Sequence, residues 1–166
     1  MLAPQVRKTW APKGKTPIHK HRYKHDRISV ISGLSVSHKR RRLGLYFNFS
    51  DENFKGSHVA AFLRYLLRHL RGKVVIIWDN AATRRSEPIR KLLRRSKRLH
   101  LEALPPYAPE LNPAEGIWSQ AKRTLANGLP NDKDELLNDI GEAMVNIGCS
   151  QSLLRACVKQ SDLTFF

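Results

Sequence analysis

Acids are scarce in this sequence: 14 Asp and Glu stand against 30 Lys and Arg, a formal charge of +16 at pH 7. A chain so far from neutrality draws polyanions, which makes nucleic acid the first partner to consider and a membrane surface the second. Cysteine is nearly absent. Cys149 and Cys157 form no Cys-x-x-Cys pair, which excludes a zinc ribbon or a dithiol redox motif, fits a cytoplasmic setting and reads as two packing residues. Long hydrophobic runs are also missing. The longest, residues 74–78, is far short of the roughly 18 residues a membrane span needs, and residues 1–5 lack a signal peptide's apolar stretch. The expectation is a soluble protein that neither spans a membrane nor is exported.

What is present is one domain's worth of chain, 166 residues with 41% apolar content, enough for a single core. The charge is uneven. Residues 1–50 hold twelve Lys or Arg against Asp26 alone, and residues 84–98 hold eight against Glu87 alone, so two basic surfaces are implied. Residues 132–142 reverse the sign with Asp132, Asp134, Glu135, Asp139 and Glu142, as on a solvated helix face. Residues 1–27 read as an extended basic arm, residues 28–130 as the main domain and residues 131–166 as a helical tail packed on it.

Within the main domain Ile28, Val30, Ser32, Leu34 and Val36 alternate, as do Leu43, Leu45, Phe47 and Phe49. That period of two predicts a hairpin, with Lys39, Arg40, Arg41 and Arg42 at its tip. Val59, Phe62, Leu63, Leu66, Leu67 and Leu70 follow helical spacing, and Gly72 ends that helix. The short apolar run at 74–78 predicts a parallel-sheet strand buried on both faces. A basic helix over 86–96, a strand over 99–104 and a helix from Pro113 follow. Together these describe an α/β fold, a mixed sheet with helices on its faces.

Two acids stand where chemistry can happen. Asp79 ends a predicted strand, and in open α/β sheets reacting groups gather beyond the strands' carboxyl ends; an Asp-Asn pair there also serves as an ordinary turn or cap. Glu115 follows Asn112-Pro113-Ala114, which reads as a capping box. It also borders the helix's apolar stripe of Ala114, Ile117, Trp118, Ala121 and Leu125, a place from which a carboxylate can face a cleft. The basic residues have two readings as well, a solvated face or phosphate contact. Arg84, Arg85, Arg94 and Arg95 come soon after Asp79, and Lys122 and Arg123 come two turns after Glu115, which favours contact with phosphates around a cleft. For His19, His21 and His25, phosphate contact or plain exposure outweighs a metal site.

The strings VVIIWDNAATRRS and LPPYAPELNPAEGIWSQAK resemble the second and third acidic motifs of the mariner superfamily of DDE transposases, in its bacterial insertion-sequence branch. RKTWAPKGKTP, ISVISGLSV, RRLGLYFNF and LLRACVKQSDLTFF extend the similarity over nearly the whole chain. The resemblance implies a ribonuclease H-like sheet flanked by helices, in which Asp79 and Glu115 are catalytic ligands of two divalent ions, Mg2+ or alternatively Mn2+. It implies cleavage of DNA at transposon ends and joining to target DNA, a homodimer and a nucleoid-associated, cytoplasmic location. It also implies that the chain starts just after the first acid of the triad and lacks the first, central strand, whose loss leaves ladder groups bare on two neighbours. The missing part would come from a separately encoded N-terminal segment, or the chain would be a DNA-binding remnant or regulatory fragment. Asp26 and Asp51 flank predicted strands without matching the missing acid's place. Arg84 stands where relatives often carry His.

Overall fold

The structure, a computed structural model, describes residues 10–15, 28–79, 85–106, 108–126, 128, 130 and 132–163. Much of the predicted basic arm, with His19, His21, His25 and Asp26, lies outside the described residues, as does Arg84.

Strands β1 (Ser29–Val36) and β2 (Leu43–Ser50) form the expected antiparallel hairpin, with Val36 opposite Leu43, Leu34 opposite Leu45 and Val30 opposite Phe49. This register gathers the alternating apolar residues on one face. Its tip closes through Ser37, whose N–H donates to the Arg42 carbonyl at 3.0 Å and whose hydroxyl accepts from the Arg42 N–H at 3.1 Å. Arg40 takes a left-handed φ of 55° to make the turn, a conformation uncommon for a residue with a side chain.

Helix α1 (Gly56–His69) ends in a left-handed Gly72, φ 75°, where the absence of a Cβ lets the chain reverse. Arg98 clamps the reversal by donating to the carbonyls of Leu70 (2.8 Å) and Gly72 (3.0 Å). Strand β3 (Val74–Trp78), helix α2 (Glu87–Arg95) and strand β4 (Leu99–Ala103) complete a crossover in which β4 pairs parallel to β3. A 3-10 turn (Pro109–Leu111) leads to α3 (Pro113–Thr124), followed by α4 (Lys133–Cys149) and α5 (Gln151–Gln160).

The hairpin lies between two cores. Its alternating face, with Ile28, Leu34, Leu43 and Phe47, packs on α3, α4 and α5 through Ile117, Ile140, Met144 and Leu154. Its opposite face sends Ile31 and Tyr46 into a second cluster built from α1, α2, β3 and β4. The Gln151 amide bonds both ways with the Leu43 backbone, accepting from its N–H at 3.0 Å and donating to its carbonyl at 2.7 Å. The start of α5 is thereby pinned to the start of β2.

The α/β class is as expected, and the strands form two pairs: among the described residues β1 pairs only with β2, and β3 only with β4. Two expectations need correction. Strand β3 is not buried on both faces: Val74, Ile76 and Trp78 join the second cluster, while Val75 and Ile77 stay 60% and 41% exposed. Helices α1 and α2 cover one side of it, and no described element covers the other. Cys157 is a core residue, but Cys149 is exposed. No helix among the described residues is long and apolar enough to cross a membrane.

The acidic stretch lies on α4, where Asp134, Glu135 and Glu142 are exposed. Asp139 is half-buried, and its pKa is raised above the ordinary 3.8, first by burial and then by the charges of Glu135 and Glu142. A carboxyl whose folded pKa is raised favours folding fully only below its unfolded value, and that contribution is lost as pH climbs through the folded one. Asp139→Asn is therefore expected to raise the melting temperature at pH 7. Thermal melts taken at successively lower pH should show the gain shrinking to nothing below about pH 3.8.

Candidate active site

Asp79 is the residue directly beyond β3, and it is exposed. The parallel ladder runs right up to it, since the Leu104 N–H donates to the Trp78 carbonyl at 2.8 Å. Parallel strands end at a common edge, so the chain leaves β4 on the same side of the sheet as Asp79. Leu104 is buried at 7% exposure and anchors the departure. Eight further residues, 105–112, then bring the chain to α3 and to Glu115 in its first turn.

How α3 begins bears on what Glu115 is for. Asn112 caps the helix, its Oδ1 accepting from the Ala114 N–H at 3.1 Å, and Pro113 opens the first turn. The Glu115 N–H donates to the Asn112 backbone carbonyl at 3.0 Å. The reciprocal half of the expected capping box is not made: among the described residues the Glu115 carboxylate has no hydrogen-bond or ion-pair partner, and the side chain is exposed. The cap therefore works through Asn112 alone, and the acid is left for another use.

Gly116, the next residue, was not singled out by sequence reasoning, although a glycine inside a helix costs roughly 1 kcal/mol and so asks for a reason. The reason is α5. A Cβ on Gly116 would lie 3.0 Å from the Cβ and 3.1 Å from the Cα of Cys157. The bare backbone lets the two helices touch at the very turn that carries Glu115. Burial also pushes the Cys157 thiol pKa up, so at this contact it is a neutral packing group.

The two acids offer oxygen, the donor a hard divalent cation takes. Among the described residues no three His, Cys, Asp or Glu side chains converge to hold a metal ion. The fit is thus one of donor type, and a third ligand is not among them. Asp51 does not supply it, since its Oδ1 lies 2.9 Å from the Lys133 ammonium.

The basic residues fall into separate places. Lys39, Arg40, Arg41 and Arg42 are exposed at the hairpin tip, whose Arg41 carbonyl accepts from Arg155 at 2.9 Å. Arg85 is exposed just before α2. Helix α2 leads away from the Asp79 edge toward the start of β4, so Arg94 and Arg95, on its last turn, sit at the far end. Arg94 is bound to Glu87 at 2.7 Å and holds that carboxyl below its usual pKa. Lys122 and Arg123 lie on the last turn of α3, about 10–12 Å along its axis from Glu115 at 1.5 Å per residue.

This division of labour is measurable by urea unfolding. Asn112→Ala should cost about 1 kcal/mol, while Glu115→Gln should stay within about 0.5 kcal/mol of the parent. Gly116→Val should cost about 1–3 kcal/mol through overpacking against α5. A loss on Glu115→Gln as large as that on Asn112→Ala would return the acid to a capping role.

A sequence profile described as DDE superfamily endonuclease matches residues 1–137. No curated protein sequence matches the chain. Among solved structures, the Mos1 mariner paired end complex with Mn is similar over 95% of this chain and 49% of that one, with a TM-score of 0.63 at 14% identity. The Mos1 strand transfer complex is similar over 98% of this chain and 52% of that one, with a TM-score of 0.56, also at 14% identity. This chain thus spans about half the length of either. At that identity the likeness shows the fold, which is the ribonuclease H-like α/β class.

Proposed function

Because the chain belongs to the DDE superfamily endonucleases, we propose that it is the catalytic domain of a DNA transposase, performing metal-dependent strand cleavage and strand transfer for an insertion sequence. The observation that carries this reading is the pairing of family membership with topology. Asp79 ends β3 at the edge where β4 also leaves, and Glu115 opens the helix that follows without being consumed by its cap.

In this reading Asp79 and Glu115 hold two magnesium ions, with manganese as an alternative; the Mn in the Mos1 paired end complex supports a divalent requirement. Such ions polarise a phosphoryl oxygen and lower the pKa of water for in-line displacement. The chain's own part is placement. The β3–β4 ladder fixes Asp79, and the Asn112 cap with the α3–α5 contact at Gly116 fixes the turn from which Glu115 projects. Lys39, Arg40, Arg41, Arg42, Arg84, Arg85, Arg94, Arg95, Lys122 and Arg123 contact phosphates of transposon-end and target DNA. They position the duplex without reading bases. A homodimer on paired ends and a separately encoded N-terminal segment that supplies the third acid complete the proposal.

One observation favours a second reading. With no third ligand among the described residues, the chain alone would act as a DNA-binding remnant or regulatory fragment that competes with an intact transposase. A nicking assay on transposon-end DNA decides, run with the chain alone and with its upstream coding sequence joined. The extended protein should nick in magnesium, and Asp79→Asn or Glu115→Gln should each lower the rate about a hundredfold or more, as losing several kcal/mol of transition-state stabilisation implies. Binding without nicking in both forms would establish the second reading, and full activity in Asp79→Asn would remove Asp79 from the site.

A further inference from the structure

Helices α1 and α2 lie side by side with their carboxyl ends at the same end of the molecule, since Arg98, just past α2, reaches the carbonyls that close α1. Between them runs an open groove of about 470 Å3 lined by Arg64, Glu87, Pro88, Lys91, Leu92 and Arg95. Its floor is apolar, formed by buried Leu92 and half-buried Pro88. Its walls carry exposed cations on both sides, Arg64 from α1 and, one helical turn apart on α2, Lys91 and Arg95.

One acid, Glu87, lines the groove among these cations. The α1 segment from 55 to 73 contains no acid. Glu87, the sole acid of residues 84–98, is already bonded to Arg94 at 2.7 Å. Among the described residues none of Arg64, Lys91 and Arg95 is in an ion pair. Three cations outnumber the one carboxylate around this apolar slot, and an added anion relieves their mutual repulsion. All three are long, exposed side chains, and no buried donor aims into the groove, so it has nothing to grip a small free anion. A polyanion backbone suits it better: successive phosphates engage cations on both walls and sugar carbons cover the floor.

We propose that the α1–α2 groove is a sequence-independent binding site for the backbone of duplex DNA, with Arg64, Lys91 and Arg95 as its phosphate contacts. The groove opens on the outer helical layer, and α2 carries Arg95 away from the edge where Asp79 stands. The site therefore holds a stretch of duplex other than the one being cut. The choice of DNA as the polyanion rests on the function proposed above; the binding itself requires no metal.

The test is fluorescence anisotropy with a labelled random-sequence duplex in EDTA, across a salt series. The variant Arg64→Gln/Lys91→Gln/Arg95→Gln is compared with a charge-matched control, Lys13→Gln/Lys15→Gln/Lys159→Gln, all at exposed positions. The groove variant should bind at least tenfold more weakly at 100 mM salt, with the slope of log K against log salt shallower by about 2–3, near 0.9 per phosphate contact. Thermal melts of both variants confirm folding. A loss no greater than the control's overturns the assignment. So does unchanged duplex binding with lost sedimentation on phosphatidylglycerol vesicles, which would make the groove a membrane contact. Because binding is read in EDTA, a failure of the nuclease reading would show in the nicking assay and leave this result standing.

Discussion

The structure depends on a hairpin that is apolar on both of its faces. Cross-strand pairing of β1 and β2 fixes which residues look each way. One face carries Val30, Leu34, Leu45 and Phe47 to the α3–α5 layer, and the other sends Ile31 and Tyr46 toward α1 and the β3–β4 pair. A one-residue slip would exchange the two sets and strip both cores at once. The helix α3 that carries Glu115 packs on one face of this wall, and the strand β3 that precedes Asp79 joins the cluster on the other.

The wall explains why the chain needs so little else to organise an edge of the sheet. Parallel pairing of β3 and β4 sends both strands out on one side, and the Pro-rich segment after Leu104 converts that exit into a helix start at Asn112. Gln151 ties α5 to the hairpin, and α5 in turn meets α3 at Gly116. The helix that presents Glu115 is thus held at its cap, at its glycine and, through α5, at β2.

Much of this was legible in the residues because it is local. Alternation marked both strands of the hairpin, the short apolar run marked β3, and Asn112-Pro113 marked the start of α3. What escaped was non-local. A five-residue apolar run has no period that says which face is covered, so the exposure of Val75 and Ile77 could not be read from it. The reason for Gly116 lies on another helix some forty residues away. The Glu of an Asn-Pro-x-Glu start is read as a cap by local rules, and only the hydrogen bonds show the cap made without it. The roles of Asp79 and Glu115 in holding metal come from the resemblance, while the structure places Asp79 directly beyond β3 and Glu115 in the first turn of α3.

Strand β3 carries a further implication. Val75 and Ile77 offer solvent a sticky strip on a strand that, among the described residues, is paired along one side only, the kind of surface through which chains zip together into aggregates. Mutual repulsion at +16 keeps such copies apart. Neutralising that charge, as any long anion does on binding, removes the barrier. Colloidal behaviour and ligand occupancy are therefore coupled in this molecule, and a preparation that stays clear by itself can turn cloudy on mixing with heparin.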